Sequence, residues 1–187
     1  MKEIKVIVIG GSAGSFITVS QILAELKSDF CIPVFLCLHR LKNISTGFEE
    51  ALNIKSNHKV HSPKDKEVIK KGQIYLAPAN YHMLGEIGNT IALSIDNLHK
   101  FSRPSIDLAF DSFSYIYKES MLGIILSGAN SDGAEGLHKA FLRGSYTIVQ
   151  DPLEAQVKTM PQSAMCLFKP NQVLQTKAIV NFLNQLD

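Results

Sequence analysis

Three side chains of the types that make a serine hydrolase each follow a buried, strand-like run of the sequence. They are Ser12, His39 and Asp132, and long stretches of chain separate them. A serine hydroxyl is a weak nucleophile that needs a base, and the imidazole of that base needs a carboxylate to hold its tautomer. The residue types therefore predict an acyl-transfer site with Ser12 as nucleophile, His39 as general base and Asp132 as orienting acid.

The segment Gly10–Gly14 around Ser12 has the pattern G-x-S-x-G between a predicted strand and a predicted helix. In that context the glycines permit a sharp turn that exposes the serine, and the first N–H groups of the helix can bind an oxyanion. Simpler interpretations remain open at this point. Ser12 and Asp132 are both residue types that cap helix N-termini, and His39 could be an ordinary residue at the rim of a strand.

The hydrophobic pattern predicts the strands and helices that position these residues. Buried strands are predicted where apolar, often β-branched residues run without interruption, and helices where apolar residues recur every three or four positions. The predicted strands are 5–9, 33–38, 74–77, 121–126 and 146–149, with an antiparallel hairpin over 81–86 and 90–94. The predicted helices lie within 16–26, 46–55, 106–113, 137–141 and 179–186.

Buried strands that alternate with amphipathic helices are typical of a parallel sheet with right-handed crossovers. We therefore predict an α/β fold, a doubly wound three-layer sandwich with a mostly parallel sheet and one antiparallel hairpin. Residues 1–187 are predicted to form a single catalytic domain. Ligands of such sheets gather at the carboxyl ends of the strands, which is where Ser12, His39 and Asp132 are expected to meet.

Composition excludes several other classes of protein. A hydrophobic share of 45% argues against disorder, and the apolar runs are too short for a membrane span. The net charge of +2 offers no basic face for a nucleic-acid backbone. Cys31, Cys37 and Cys166 form no metal-ligand spacing and are predicted to be buried thiols. Without a signal peptide, the expected location is the cytoplasm.

A dinucleotide-binding oxidoreductase is the alternative suggested by the glycines after the first strand. The G-x-G-x-x-G fingerprint fails, because Ser12 stands where the second glycine must let the backbone approach a pyrophosphate. The acidic residue expected after the second strand is also missing, since His39 and Arg40 stand there. No metal or organic cofactor is expected.

Over nearly its whole length the chain resembles the catalytic domain of the chemotaxis protein-glutamate methylesterases, which also deamidate receptor glutamines. The resemblance is carried by short motifs in the family's order. They are Ile9–Gly14, Cys37–His39, Gly72–Pro78 with Tyr81 and His82, Arg103–Asp107 with Phe110, Leu126–Ala134, Gln150–Asp151 and Met160–Pro161.

The resemblance implies the same three catalytic residues that the strand ends suggest. It also places Ala13 and Ala129 at oxyanion-hole positions, where they act through their backbone N–H groups. Arg103 and Met160 are candidate substrate-binding residues, although Arg103 could equally form a salt bridge and Met160 could fill a gap in the core.

The sequence departs from the family in three places. Ser12–Ser15 replaces a usual Ser-Thr-Gly-Gly, and Gly128–Asn130 replaces a usual Gly-Met-Gly. The third expected departure is a stand-alone form without the family's N-terminal receiver domain. The first two changes bear on the geometry of the turn and the wall of the cleft. The third suggests that a separate regulatory chain could supply control.

The expected function is hydrolysis of glutamyl methyl esters on the cytoplasmic helices of chemoreceptors, without nucleic-acid binding or membrane insertion. A non-catalytic receptor-binding module of the same fold remains the first alternative, and the oxidoreductase the second.

Overall fold

A seven-stranded parallel sheet runs through the middle of the protein. The structure is a computed structural model that describes residues 2–39 and 47–186. With strands numbered in chain order, the sheet reads from one edge to the other β3 (Val60–His61), β4 (Ile74–Leu76), β2 (Val34–Leu38), β1 (Val6–Gly11), β7 (Met121–Ile125), β8 (Tyr146–Gln150) and β9 (Gln172–Leu174). Every adjacent pair of these strands is parallel.

Helices cover both faces of the sheet. One face carries α1 (Ser15–Glu25), α2 (Phe48–Lys55) and α6 (Thr176–Leu183). Their buried residues form one hydrophobic cluster with the strand residues on that face. The other carries α3 (Ile106–Tyr117), α4 (Ala134–Leu142) and α5 (Thr159–Leu167) in a second cluster. The predicted doubly wound three-layer sandwich is therefore confirmed.

The central strand β1 shows why the sheet needs two covered faces. Ile7 and Ile9 belong to the cluster under α1, whereas Val6 and Val8 belong to the cluster under α3. All four side chains are at most 1% exposed. A strand that is buried on both faces has no polar alternation, which is why its sequence is a continuous apolar run.

The predicted hairpin is also present, as β5 (His82–Glu86) and β6 (Thr90–Ser94) in an antiparallel two-stranded sheet. It packs on α3, where Gly85 approaches Phe113 so closely that an added Cβ would lie 2.9 Å from the ring. The hairpin thus packs beside the helix whose first turn belongs to the site described below, in the same hydrophobic cluster.

The hydrophobic pattern of the sequence did not predict β3, β9 or α5. In β9, Val173 is 39% exposed, so this edge strand has no buried run to mark it. The predicted helix over 46–55 is α2, which begins at Phe48, and Thr46 lies outside the described residues.

The prediction of buried thiols holds only for Cys37. Cys31 and Cys166 are exposed, because one lies in the segment before β2 and the other on the outer side of α5. Within the two described stretches of chain, no helix combines the length and the apolar character that crossing a bilayer would require.

Candidate active site

The carboxyl ends of β1, β2 and β7 meet at one edge of the sheet, as the topology predicts. Gly11 pairs with Leu38, and the next residue of β2's chain, His39, donates its backbone N–H to the carbonyl of Gly11 at 3.1 Å. On the other side of β1, Ser12 donates its N–H to the carbonyl of Ser127 at 2.9 Å. Ser12 and His39 are therefore the first residues beyond the paired ends of neighbouring strands.

His39 and Asp132 form a direct hydrogen bond at this edge. The imidazole Nε2 lies 2.8 Å from Oδ2 of Asp132, across 93 positions of sequence. The Asp132 side chain is completely buried, while 14% of the His39 side chain remains exposed. In this arrangement the acid is shielded from solvent and the imidazole reaches the surface, where it could exchange a proton with a substrate.

The carboxylate of Asp132 is held at the N-terminus of α3. Its Oδ2 accepts from the backbone N–H of Ile106 at 2.8 Å, and its Oδ1 accepts from the N–H of Asp107 at 3.0 Å and from the Ser105 hydroxyl at 3.1 Å. The first N–H groups of a helix lack partners within the helix and carry partial positive charge, so a carboxylate is stabilised there.

These hydrogen bonds determine the ionisation of Asp132. Burial by itself raises the pKa of the carboxyl group, but the hydrogen bonds from His39, Ile106 and Asp107 outweigh it. The net result is a pKa of Asp132 below its ordinary value, so the acid is ionised at neutral pH. An ionised carboxylate can orient the imidazole and stabilise the imidazolium formed when His39 takes a proton.

The hydrogen bond to Asp132 also selects the basic nitrogen of His39. A neutral imidazole donates through one ring nitrogen and accepts through the other. Because Nε2 faces an ionised carboxylate, it carries the hydrogen, and Nδ1 keeps a lone pair that can accept a proton.

Neither Ser12 nor Asp132 caps the helix that follows it, which removes the simpler interpretation of both. The N-cap residues of α1 and α4 are Gly14 and Gly133, and neither helix has a side-chain cap. Gly14 adopts φ 79°, and an added Cβ would meet Ser127 Oγ at 2.8 Å, so glycine suits this turn for two reasons. The Ser12 side chain remains half-buried at the surface of the turn.

The two expected oxyanion donors lie on the same edge. Ala13 follows Ser12, and Ala129 lies in the loop between β7 and Asp132, and both residues are exposed. Among residues 2–39 and 47–186, no acceptor is found for the backbone N–H of either alanine. An exposed N–H without a protein acceptor can bind an anionic oxygen, although their role in catalysis stays a prediction.

Arg103 is bound to its own chain. Its Nε and Nη2 donate to Oδ1 of Asn80 at 3.1 and 2.8 Å, and Nη1 donates to the carbonyls of Ile95 and Asp96 at 2.5 and 2.8 Å. These acceptors are an amide and two carbonyls, not the carboxylate of a salt bridge. The guanidinium therefore ties the segments that precede β5 and follow β6 to the segment before α3, and its contact with substrate stays a prediction.

Met160 is completely buried beneath the loop that carries Ala129. Its N–H donates to the carbonyl of Gly128 at 2.9 Å, and a Cβ added at Gly128 would lie 2.5 Å from the Met160 methyl group. The Met160 side chain packs against this loop from the core, and its contact with substrate stays a prediction.

The carboxylates near the site are occupied by hydrogen-bond donors and do not form an open metal centre. His99, Asp107 and Asp132 have ligand-type atoms within 4.8 Å of one another. Asp107, however, accepts from Lys100 Nζ at 2.8 Å and from the Gly136 N–H at 2.7 Å. With donors also at both oxygens of Asp132, these groups form a hydrogen-bonded network between α3 and α4.

The sequence did not identify the groups that hold the acid. Ser105 precedes the apolar periodicity of α3, which is an N-cap signal, and its hydroxyl does accept from the Leu108 N–H at 3.3 Å. Its second contact, with Asp132, joins residues that are 27 positions apart, and no local sequence pattern predicts it. The backbone N–H groups of Ile106 and Asp107 could not be predicted as donors, because nearly every residue type has the same N–H group.

Comparison with known proteins agrees with this architecture. The family model described as CheB methylesterase matches residues 7–183. A Leptospira interrogans protein, provisionally named protein-glutamate methylesterase/protein-glutamine glutaminase, is 40% identical over 97% of this chain and 94% of its own length. Protein-glutamate methylesterase/protein-glutamine glutaminase 4 of Geobacter metallireducens is 33% identical over 98% of this chain, which spans 53% of that relative.

A solved structure is similar over the whole fold. The crystal structure of the Thermotoga maritima CheB methylesterase catalytic domain matches with a TM-score of 0.93 and 27% sequence identity. The match covers 98% of this chain and 99% of the crystallised one.

Proposed function

Because the chain belongs to the CheB methylesterase family, we propose that it hydrolyses the methyl esters of glutamate side chains in chemoreceptors. Ser12, His39 and Asp132 are the proposed catalytic triad. The observation that carries the proposal is the 2.8 Å hydrogen bond between His39 and the buried Asp132, beside the turn that presents Ser12. An imidazole that is oriented in this way serves a nucleophile, because it can take up the nucleophile's proton.

In the proposed reaction the Ser12 hydroxyl attacks the ester carbonyl while Nδ1 of His39 takes its proton. The tetrahedral oxyanion accepts hydrogen bonds from the N–H groups of Ala13 and Ala129. The intermediate collapses, the carbon–oxygen bond to the methoxy group breaks, and methanol leaves with the proton from His39. Water then attacks the acyl-enzyme while His39 takes its proton. The bond between the acyl carbon and Ser12 Oγ breaks, His39 returns the proton to Ser12, and the glutamate carboxylate is released.

The same acyl-enzyme serves the deamidation of receptor glutamines, with ammonia as the leaving group in place of methanol. An amide is the more difficult substrate, since its nitrogen must be protonated before it departs. This step places a greater demand on the imidazolium that Asp132 stabilises.

The test compares methanol release from a methylated chemoreceptor by the parent protein and by Ser12→Ala. We expect kcat to fall by roughly 10⁴-fold or more in Ser12→Ala, because the nucleophile is lost. Ser28→Ala provides a matched control, since Ser28 is exposed and lies at the opposite edge of the sheet, and it should keep the parental rate.

Other outcomes identify the alternatives. A parent protein that binds receptor, releases no methanol and resists a serine-reactive fluorophosphonate would be a non-catalytic binding module. Stabilisation of the protein by NAD or FAD would instead favour an oxidoreductase. Parental ester hydrolysis in Ser12→Ala would exclude Ser12 as the nucleophile.

A further inference from the structure

The backbone of the turn after β1 has an unusual distribution of hydrogen bonds. Three successive carbonyl groups are engaged: Gly11 accepts from the His39 N–H, Ser12 accepts from Ser15, and Ala13 accepts from Ser127. In contrast, no acceptor is found for the N–H of Ala13 among the residues that the structure describes. A turn whose carbonyls are held within the protein has fixed directions for its remaining N–H groups.

Ser15 holds the peptide unit that contains the Ala13 N–H. The Ser12 carbonyl accepts from the Ser15 hydroxyl at 2.7 Å and from the Ser15 N–H at 3.0 Å. Because a trans peptide is planar, its C=O and N–H groups point in opposite directions. Two donors on the carbonyl of Ser12 therefore determine where the N–H of Ala13 points.

Ser127 holds the two peptide units on either side. Its carbonyl accepts from the Ser12 N–H at 2.9 Å, and its hydroxyl lies 2.7 Å from the Ala13 carbonyl. The hydroxyl also lies 3.2 Å from the Val157 carbonyl and accepts from the Val157 N–H at 2.9 Å. Ser127 is itself fixed, since its own N–H donates to the buried side chain of Gln150 at 2.9 Å.

Both serines are inaccessible to substrate. Ser15 is 2% exposed and Ser127 is completely buried, so neither side chain is placed to touch a reacting atom. Their hydroxyl groups contact main-chain groups of the turn, and Ser127 also connects that turn to the loop that carries Ala129 and Asp132. Their position favours an indirect role in which they fix the geometry of other groups.

We propose that the hydroxyl groups of Ser15 and Ser127 are positioning groups that aim the Ala13 N–H at the oxyanion. The inference rests on the proposed function and extends it to two residues outside the triad. The hydroxyls lower the barrier through Ala13 and do not add to substrate binding.

The test measures kcat and KM for methyl ester hydrolysis by Ser15→Ala and Ser127→Ala. Loss of an entire oxyanion donor costs about 10²–10³-fold in kcat, so a donor that is present but less well aimed should cost less, about tenfold for each variant. KM should change less than about twofold, because the ground-state carbonyl depends less on this N–H than the oxyanion does.

Ser145→Ala is the matched control. Ser145 is also 2% exposed, and its hydroxyl donates to the Lys118 carbonyl at 2.7 Å, but it lies before β8 at the opposite edge of the sheet. It should lose a similar amount of thermal stability and keep the parental kcat. Ser15→Thr, which retains a hydroxyl, should recover most of the activity lost in Ser15→Ala.

A pH–rate profile separates this role from damage to the His39–Asp132 pair. If only the oxyanion donor is disturbed, the profile falls in height while its midpoint stays at the parental pH. Serine-to-alanine variants that lose stability like Ser145→Ala but keep the parental kcat would overturn the inference. A parent protein without Ser12-dependent hydrolysis would instead overturn the proposed function.

Discussion

Asp132 and Asp111 both contact the helix α3, but in different surroundings. Asp132 approaches the first turn, is completely buried and binds two backbone N–H groups, a hydroxyl and an imidazole. Asp111 belongs to the helix itself, is 30% exposed and pairs with Lys139 at 2.9 Å and Arg143 at 2.6 Å.

Both carboxyl groups reach the same ionisation state by different means. Burial raises the pKa of each, and hydrogen bonds return it below the ordinary value. For Asp111 those bonds come from flexible cationic side chains at the surface, whereas for Asp132 they come mainly from rigid, neutral donors. The comparison shows that a low pKa alone does not indicate a catalytic acid, and that a fixed orientation with a neighbouring base is the more specific sign.

The largest effect that would test this comparison is expected from Asp132→Asn. The amide no longer stabilises the imidazolium and can hold the wrong tautomer of His39, so kcat should fall on the order of 10⁴-fold, as in serine proteases. Methanol release measured beside Asp111→Asn checks this. A comparable loss of kcat in both variants would contradict the distinction between the two carboxylates.

An intermediate effect is expected from Ser105→Ala, which removes one neutral donor to Asp132 and the N-cap of α3. The free energy of unfolding should fall by about 1 kcal/mol, and kcat should fall by up to about tenfold as the carboxylate loses a contact.

Ser112→Ala is the control for that change. Ser112 lies on the same helix, and its hydroxyl binds the Gly85 N–H at 3.1 Å, away from the acid. Chemical denaturation and methanol release should show a stability loss in both variants and a loss of kcat only in Ser105→Ala. An unchanged kcat in Ser105→Ala would show that the backbone donors suffice.

The smallest effect is expected from Asp111→Asn. Its ion pairs are at the surface, so the variant should lose less than about 1 kcal/mol of stability at pH 7 and keep its kcat. Because the folded-state pKa of Asp111 is lowered, its contribution to stability is complete above the unfolded-state pKa of about 3.9. That contribution is lost as the pH falls through the folded-state pKa.

Denaturation curves for the parent and Asp111→Asn should therefore differ at neutral pH and converge in acid. High salt should also reduce the difference, since exposed charges are screened. A difference that grew as the pH fell would mean that the ionised form of Asp111 does not stabilise the fold.

The parts of the molecule that the sequence predicted are those with a periodic or continuous apolar signal. The continuous apolar runs correctly predict the buried strands β1, β2, β7 and β8. Because the carboxyl ends of parallel strands meet at one edge of the sheet, these runs also predict that His39 lies near Asp132. The same reasoning failed for β9, where Val173 is partly exposed and no run exists. It could not find α5, which the sequence marks only by Met160 and Pro161.

The N-cap interpretation of Asp132 was wrong in an instructive way. The carboxylate does bind helix N–H groups, but they belong to α3, which precedes it in the chain, and not to α4, which follows it. Sequence proximity suggested the wrong helix, since only tertiary packing brings the loop after β7 to the start of α3. The close approach of Gly136 to the backbone of Asp107 is part of that packing.

The 93-residue separation between His39 and Asp132 has a consequence for folding. A contact between such distant segments closes a long loop of chain, and loop closure carries an entropic cost. β2 and β7 flank β1 on opposite sides, so the pair closes only when both halves of the sheet have joined the central strand. Recovery of turnover during refolding would therefore report completion of the sheet, whereas a far-ultraviolet signal would report its separate pieces.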